Sequence, residues 1–316
     1  MSKPSFYEFF AGGGMVRAGL GRDWACLFAN DIDEKKAAAY RANWGGGDLC
    51  VGDIAKLSAD ALPGEADLAW ASFPCQDLSL AGAGKGLKGE RSGLFFAFHR
   101  LMSGLRAQGR APKIIALENV VGLLTSHGGE DFREVARALA ALGYRVGAMA
   151  IDAARFVPQS RPRVFFVAVR NDLTPPPALV GRDPSEWTTS DALRKAADRL
   201  TGYTKEHWLW WRLPEPPKRN AAFIDLAEET PEGVAWHAPE QTLRLVSMMS
   251  QPNRLKLEKL KASKRKAYAT AYRRTRPDGF GGKAQRVELR ADGLAGCLRT
   301  AAGGSSRQIV FEARKG

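Results

Sequence analysis

The chain has few of the residues that build metal centres or disulfide frameworks. Its four cysteines, Cys26, Cys50, Cys75 and Cys297, stand far apart, and its four histidines are equally dispersed. Zinc sites and disulfide-rich scaffolds both need closely spaced ligands or paired cysteines, so neither is expected. The sequence also lacks an apolar run near the roughly 18 residues that span a bilayer, and its first residues lack a signal-peptide pattern. These absences favour a cytoplasmic protein in a reducing compartment.

Acidic residues are scarce in the second half of the chain. The net charge is +13, but residues 1–180 carry 21 Lys/Arg against 18 Asp/Glu, whereas residues 181–316 carry 26 against 16. Within residues 254–290 alone there are 13 basic and 3 acidic residues, and the pattern over Leu255–Tyr272 predicts a helix. A basic block this dense beside a near-neutral half predicts a polyanionic partner, nucleic acid above all, without separating DNA from RNA.

The first 170 residues alternate strand and helix patterns, which is typical of a doubly wound α/β sheet. The strand pattern Ser5–Phe9 runs into the glycines Gly12–Gly14 at the start of a helix, and a second strand, Ala25–Ala29, leads to Asp31. A helix follows over Glu34–Trp44, with Asp33 as its expected N-cap and Gly45 as its expected end. A glycine turn with an acid at the end of the next strand is the plan of a nucleotide-binding unit. The same turn also fits an NAD enzyme loosely, or a tight turn without any ligand.

A cysteine follows the next strand pattern, Asp67–Ala71, in the stretch Ser72–Gln76. Pro74 fixes its own φ and biases the preceding residue toward an extended conformation, so Cys75 is presented on a stiffened turn. The glycine-broken stretch Leu80–Gly89 comes next, and a thiol beside a loop that can close suits a covalent catalyst. A lone cysteine is more often a small buried hydrophobe, so the interpretation depends on the other motifs.

Two further motifs decide between these interpretations. Glu118-Asn119-Val120 ends a buried strand pattern, and Gln159–Arg163 precedes another. Together with the Pro74-Cys75 motif, and in this order and spacing, they resemble the motifs of the DNA cytosine-5 methyltransferases. The resemblance covers residues 5–170 and is loose beyond them.

The resemblance implies a fold and a function. The expected fold is a doubly wound, mostly parallel sheet of the S-adenosylmethionine-dependent methyltransferase type in residues 1–177. A smaller basic target-recognition domain is expected in residues 178–316, after the Thr174–Pro177 break. The implied activity is methylation of carbon 5 of a cytosine flipped out of duplex DNA, in a bacterial restriction-modification or orphan setting. The protein is then expected in the cytoplasm and, through DNA, at the nucleoid.

The residue types suit this chemistry. A thiolate that adds to carbon 6 of cytosine makes carbon 5 nucleophilic, which is the role of Cys75. Glu118 suits the stabilisation of charge at ring nitrogen 3, and Arg161 and Arg163 are candidate cationic donors near the ring oxygen. The resemblance implies that the base's Watson–Crick edge meets Glu118 and that its carbonyl oxygen meets Arg163. Asn119 is expected to have the structural role of hydrogen-bonding a loop.

The resemblance also implies the remaining site residues. Those that contact S-adenosylmethionine are Phe10, Gly12, Gly14, Asp31, Ile32, Asp53 and Ile54, with Asp31 on the ribose and the last three near the adenine. Those that shape the cysteine loop or close over DNA are Pro74, Gln76, Ser79 and Arg91.

The family's last two motifs, an Arg-Glu-rich helix and a Gly-Asn-Ser segment, are not found before Gly316. We therefore expect a truncated chain, a split enzyme with a second polypeptide, or a degenerate relative, and weak cofactor binding and methylation by this chain alone. Two other functions stay open: a DNA-binding relative with impaired turnover, and an RNA cytosine-5 methyltransferase. An NAD-dependent oxidoreductase comes last, because it gives Cys75 and Glu118 no common purpose.

Overall fold

The structure is a computed structural model that describes residues 3–74, 93–228, 230–263, 266–279, 281–298 and 307–313. The chain divides into two compact units, of which the first comprises residues 1–151 and 163–215 and the second comprises residues 152–162 and 216–316. The division thus follows Glu215 rather than the Thr174–Pro177 run. Residues after that run still add strands to the sheet of the first unit, so proline content alone misplaces the boundary.

Within the described residues, the first unit is built on a nine-stranded sheet. Its strands are β1 (Ser5–Phe9), β2 (Ala25–Asp31), β3 (Leu49–Val51), β4 (Leu68–Ala71), β5 (Ile114–Val120), β6 (Tyr144–Asp152), β7 (Pro162–Arg170), β8 (Val180–Gly181) and β9 (Trp208–Trp211). They lie in the order β3-β2-β1-β4-β5-β7-β6-β9-β8. β1 is parallel to β2 and β4, and β4 to β5, whereas β7 is antiparallel to β5. The predicted doubly wound, mostly parallel sheet is confirmed.

The strand order reverses between β1 and β4. From β1 the chain proceeds outward through β2 to β3, and then returns to β4 on the other side of β1 and continues to β5. In open α/β sheets, ligands bind outside the carboxyl ends of the strands at such a reversal. Phe9 lies beside Ala71, so the glycine turn after β1 and the Ser72–Pro74 segment after β4 leave the sheet side by side.

The first unit has six α-helices among its described residues. They are α1 (Met15–Leu20), α2 (Glu34–Trp44), α3 (Gly93–Ala107), α4 (Glu130–Ala141), α5 (Asp191–Asp198) and α6 (Gly202–Glu206). Asp33 caps α2 by accepting hydrogen bonds from the N–H groups of Lys35 and Lys36, and Gly45 ends the helix at a φ of 74°. The apolar stripe of α3 is buried against the sheet, as its spacing predicts.

Among its described residues, the second unit contains a small antiparallel sheet and two α-helices. Its strands are β10 (Ala267–Pro277), β11 (Lys283–Arg290) and β12 (Ile309–Ala313), in the order β11-β10-β12, and its helices are α7 (Pro239–Ser247) and α8 (Gln251–Lys261). The prediction of one helix over Leu255–Tyr272 was wrong beyond Lys261. The apolar residues of β10 alternate with a period of two, and Ala269 and Ala271 pack with Leu257 of α8, so strand pairing prevails over helical propensity.

Three tryptophans that the sequence left undecided between core and DNA contact belong to the first unit. Trp208, Trp210 and Trp211 lie in β9, where Trp211 is buried and the other two pack against the main core. No helix in the described part of the chain combines the length and the apolar character needed to cross a bilayer.

Candidate active site

The turn after β1 contains unusual backbone conformations. Phe10 has a φ of 58°, which is rare for a bulky side chain, and only one other described non-glycine residue, His127, has a positive φ. Gly12 and Gly14 also have positive φ values, of 58° and 80°. Strained backbone of this kind persists where the surrounding structure imposes it, and it concentrates at ligand sites.

The two glycines of this turn are required for different reasons. A Cβ atom on Gly14 would lie 2.2 Å from the indole nitrogen of Trp44, so the packing of α2 excludes any side chain there. A Cβ atom on Gly12 would meet no atom within 4 Å. Gly12 therefore borders open space, which leaves its backbone free for close approach by a ligand.

The Asp31 carboxylate ties this turn to the end of β2. It accepts hydrogen bonds from the Gly12 N–H at 2.8 Å and from the Asp33 N–H at 2.9 Å, and the residue is 4 % exposed. A carboxylate has about four acceptor positions, so two backbone donors leave capacity for a ligand hydroxyl. Asp31 thus both holds the glycine turn and presents an acceptor beside it.

The three residues predicted to contact adenine have different surroundings. Ile32 is 67 % exposed and offers an apolar surface directly after Asp31. Asp53 is partly exposed, and its carboxylate accepts a hydrogen bond from the Ala55 N–H at 2.9 Å. Ile54 is only 2 % exposed and belongs to the main core. The Ile54 side chain therefore offers little surface to a ligand, and its contact with adenine stays a prediction.

Two polar residues of the site were not found from the sequence. Asn30, buried at the end of β2, donates hydrogen bonds to the carbonyl oxygens of Cys50 and Gly52 and so joins the ends of β2 and β3. Glu8, in β1, is 1 % exposed; one of its oxygens accepts a hydrogen bond from the Val16 N–H, and the other has no partner. Burial raises the pKa of Glu8 to about 7. In the sequence, Glu8 could have been recognised as a carboxylate inside an otherwise apolar strand.

Replacing Glu8 by glutamine is expected to change how stability depends on pH. The pKa of this carboxyl rises on folding from 4.5 to about 7. Below pH 4.5 the group is protonated in both states and does not lower the free energy of unfolding, whereas above pH 7 it lowers that free energy by about 3 kcal/mol. Relative to the parent, Glu8→Gln should therefore gain about 3 kcal/mol in unfolding free energy between pH 4.5 and pH 8. Urea unfolding at several pH values measures this difference.

The exposed Glu186 of the same unit provides the control for Glu8. Glu186→Gln, unfolded at the same pH values, controls for the removal of one carboxyl group from the surface of this unit. If the difference in unfolding free energy between Glu8→Gln and the parent stays constant from pH 4.5 to pH 8, the raised pKa of the buried Glu8 is contradicted.

The segment that leads to Cys75 is held in place. Phe73 is 4 % exposed and packs on Phe95 with ring centroids 5.5 Å apart, and its carbonyl oxygen accepts a hydrogen bond from the Asn119 side chain at 3.2 Å. The structural role predicted for Asn119 is thereby confirmed. Pro74 is exposed at the end of this segment. The other predicted residues of the loop, Cys75, Gln76, Ser79 and Arg91, lie outside the described residues.

A carboxylate–guanidinium pair lies on the neighbouring strands. The Arg163 Nε is 2.6 Å from the Glu118 Oε1, and the two side chains are 16 % and 22 % exposed. The register of β5 and β7 explains the contact, because Glu118 lies opposite Phe165 and Val120 lies opposite Arg163. Glu118 and Arg163 are thus diagonal neighbours on one face of the sheet. Together they offer an acceptor and a donor side by side.

Arg161 has different partners, all in the second unit. Its guanidinium donates to the sulfur of Cys297 at 3.3 Å and contacts the Leu298 carbonyl oxygen at 3.5 Å, and its backbone N–H donates to Asp152 at 2.6 Å. A role as a donor to the cytosine ring stays a prediction for this residue. In the described part of the chain, no three His, Cys, Asp or Glu side chains are grouped as metal ligands would be.

Comparisons with known proteins agree with this geometry. A family model described as C-5 cytosine-specific DNA methylase matches residues 5–279. The chain is 36 % identical over 173 residues to the type II methyltransferase M.BsuFI of Bacillus subtilis, covering 54 % of this chain and 40 % of that protein. It is 34 % identical over 207 residues to M.DsaV of Dactylococcopsis salina, covering 64 % of this chain and 57 % of that protein. The chain spans about half the length of the curated relatives it matches.

Solved structures support the fold. A crystal structure of DNMT2 from Spodoptera frugiperda superposes with a TM-score of 0.52 at 19 % identity, covering 81 % of this chain and 65 % of that one. The Dnmt2 methyltransferase of S. pombe superposes with a TM-score of 0.50 at 20 % identity, covering 78 % of this chain and 68 % of that one. At these identities the likeness concerns the fold alone.

Proposed function

Because this chain belongs to the C-5 cytosine-specific DNA methylase family, we propose that it transfers a methyl group from S-adenosylmethionine to carbon 5 of a cytosine flipped out of duplex DNA. One observation carries the proposal: three motifs that are distant in sequence converge at one edge of the sheet. They are the glycine turn after β1, the Ser72–Pro74 segment after β4, and the Glu118–Arg163 pair on β5 and β7.

The residues around the glycine turn fit S-adenosylmethionine. The open space beside Gly12 admits a ligand against the backbone, and Asp31 keeps acceptor capacity for ribose hydroxyls. The exposed Ile32 offers an apolar surface for an adenine ring, and Asp53 presents a carboxylate near it. When bound, the cofactor supplies an electrophilic methyl group on a sulfonium.

Cys75 activates the cytosine in this proposal. Its thiolate adds to carbon 6, and the displaced ring electrons make carbon 5 the nucleophile that accepts the methyl group. Loss of the proton from carbon 5 then expels the thiolate and restores the aromatic ring. The contacts of Phe73 with Phe95 and Asn119 support this role, because they hold the backbone that precedes the thiol.

Glu118 and Arg163 hold the base during this addition. The carboxyl of Glu118 hydrogen-bonds ring nitrogen 3 and the exocyclic amine, so that charge on nitrogen 3 is stabilised as the thiol adds. The guanidinium of Arg163 donates to the ring carbonyl oxygen. Their 2.6 Å contact supports these roles, since it presents both groups to a single heterocycle.

We further propose that the loop with Pro74, Gln76, Ser79 and Arg91 closes over DNA and excludes water from the reacting base. Duplex DNA must release the base from its stack before the thiol can reach carbon 6. The relatives named type II methyltransferases favour a restriction-modification setting. A second polypeptide that completes the enzyme stays a prediction, and comparing turnover with and without a candidate C-terminal fragment tests it.

Assaying methyl transfer on two polymers tests the proposed substrate. The chain, incubated with radiolabelled S-adenosylmethionine, is expected to label cytosine-containing duplex DNA at least about tenfold faster than RNA of the same sequence, because the proposed base flipping acts on a DNA duplex. Bisulfite sequencing of the DNA should place the label on carbon 5 of cytosine. Faster labelling of RNA would replace the proposal by RNA methylation, and binding of DNA without any labelling would leave a DNA-binding relative.

A further inference from the structure

The sheet of the second unit extends beyond its third strand. β12 pairs only with Ala267–Ala271 of β10, whereas β11 pairs with β10 as far as Pro277. Residues 272–277 and 283–288 therefore form a two-stranded ribbon among the described residues, which we call the β10–β11 ribbon. Two-stranded ribbons present both of their faces, and the side chains on each face follow from the register.

One face of the ribbon carries three arginines. Arg274 lies directly opposite Arg286, with Arg276 two residues further along β10. Residues opposite each other in an antiparallel pair share a face, so these three side chains, with Tyr272 and Glu288, form what we call the arginine face. The core with α7 and α8 lies on the other face, where Ala271 and Val287 are buried.

The arginine face has more positive charge than its carboxylate neutralises. The Nε of Arg276 is 2.5 Å from one oxygen of Glu288, and the Nε of Arg274 is 3.8 Å from the other. Arg274 also stacks over the Tyr272 ring, 4.6 Å from its centroid. Among the described residues, no carboxylate lies within ion-pair distance of Arg286. The three guanidinium groups thus lie on a face with one carboxylate, and that carboxylate pairs with only two of them.

This arrangement weakens the ribbon unless an anion lies on it. Like charges directly opposite each other in a sheet are destabilising, and Arg274 and Arg286 occupy such positions. The side chains of Arg274 and Arg276 are 41 % and 46 % exposed, so they can turn toward a ligand. Guanidinium groups match phosphate geometry with two parallel hydrogen bonds, which makes arginine the residue suited to a row of phosphates.

We propose that the arginine face contacts the phosphate backbone of duplex DNA and that Arg274 and Arg286 position the substrate of the methyl-transfer reaction. The inference rests on the proposed function, which makes duplex DNA the substrate. Contacts of this kind hold the protein in register on the duplex and carry no sequence information themselves. The repulsion between the opposed arginines is relieved when phosphates lie between them.

The salt dependence of DNA binding tests this proposal. Each arginine that neutralises a phosphate contributes about 0.9 to the slope of log K against log salt concentration, so Arg286→Gln should reduce the slope by about 0.9 and Arg274→Gln/Arg286→Gln by about 1.8. Fluorescence anisotropy with a labelled duplex, measured without cofactor, gives the slope. The melting temperature of the double variant should equal or exceed that of the parent, because a repulsive pair has been removed.

Lys283 provides the matched control, because it lies on the same ribbon opposite Pro277 and therefore on the other face. Lys283→Gln removes the same charge and should leave the slope as in the parent. An unchanged slope in the double variant, or an equal loss in Lys283→Gln, overturns the proposal. The binding slope needs no turnover. If the arginine variants lower the slope but the chain does not methylate DNA, only the proposed function is contradicted. If the chain methylates DNA but the arginine variants leave the slope unchanged, only this inference is contradicted.

Discussion

Replacing Cys75 by serine is expected to abolish methyl transfer and covalent capture of the base. A serine hydroxyl is a far weaker nucleophile at neutral pH than a thiolate, and loss of a nucleophile lowers turnover by roughly four to six orders of magnitude. Duplex DNA that contains 5-fluorocytosine gives a direct readout, because fluorine at carbon 5 cannot leave as the proton does. The parent with S-adenosylmethionine should form an adduct that survives denaturation, and Cys75→Ser should form none.

A partly exposed thiol elsewhere in the chain, that of Cys297, supplies the control for this result. Cys297 accepts a hydrogen bond from Arg161, a contact that a serine hydroxyl can also accept, so Cys297→Ser should fold and form the adduct like the parent. If the adduct persists in Cys75→Ser and disappears in Cys297→Ser, the nucleophile has been misassigned. An adduct in neither the parent nor the variants would favour a DNA-binding relative without turnover.

The second large effect is expected at the Glu118–Arg163 pair. Glu118→Gln keeps the shape of the side chain but removes the carboxyl that we propose stabilises ring nitrogen 3, which should slow single-turnover methyl transfer by about 10²- to 10⁴-fold. The same change leaves the guanidinium of Arg163 without this carboxylate at a site where it is only 16 % exposed. A loss of about 1–3 kcal/mol in unfolding free energy is therefore expected as well.

A double variant separates the catalytic effect from the structural one. In Glu118→Gln/Arg163→Gln neither side chain is charged, so much of the lost stability should return while methyl transfer stays slow. Urea unfolding and single-turnover labelling of the same preparations measure both quantities. If methyl transfer recovers together with stability in the double variant, Glu118 acts only through folding.

Local signals predicted the first unit well, because its elements depend on contacts between near neighbours in the chain. Asp33 and Gly45 bound α2 in the structure as in the sequence, since capping is a matter of adjacent residues. The apolar stripe of α3 and the alternation of strands and helices likewise led to a doubly wound sheet. A loop-bonding role of Asn119 was also predicted, but only the structure identified its partner as the Phe73 carbonyl oxygen.

Errors arose where distant residues compete for the same segment. The helix predicted over Leu255–Tyr272 ends at Lys261 because β11 and β12 pair with the residues from Ala267 onward. The unit boundary follows Glu215 because β8 and β9 join the sheet after the prolines.

The motifs and their order are written in the chain: Gly12–Gly14, Pro74-Cys75, Glu118 and Arg163 indicate the family, because each needs only its residue type and spacing to be recognised. Tertiary structure alone determined which groups meet. Strand register brings Arg163 to Glu118, burial under α1 raises the pKa of Glu8, and cross-strand pairing sets Arg274 against Arg286. The reason is physical: register and desolvation are properties of contacts between segments far apart in sequence, and no single segment encodes them.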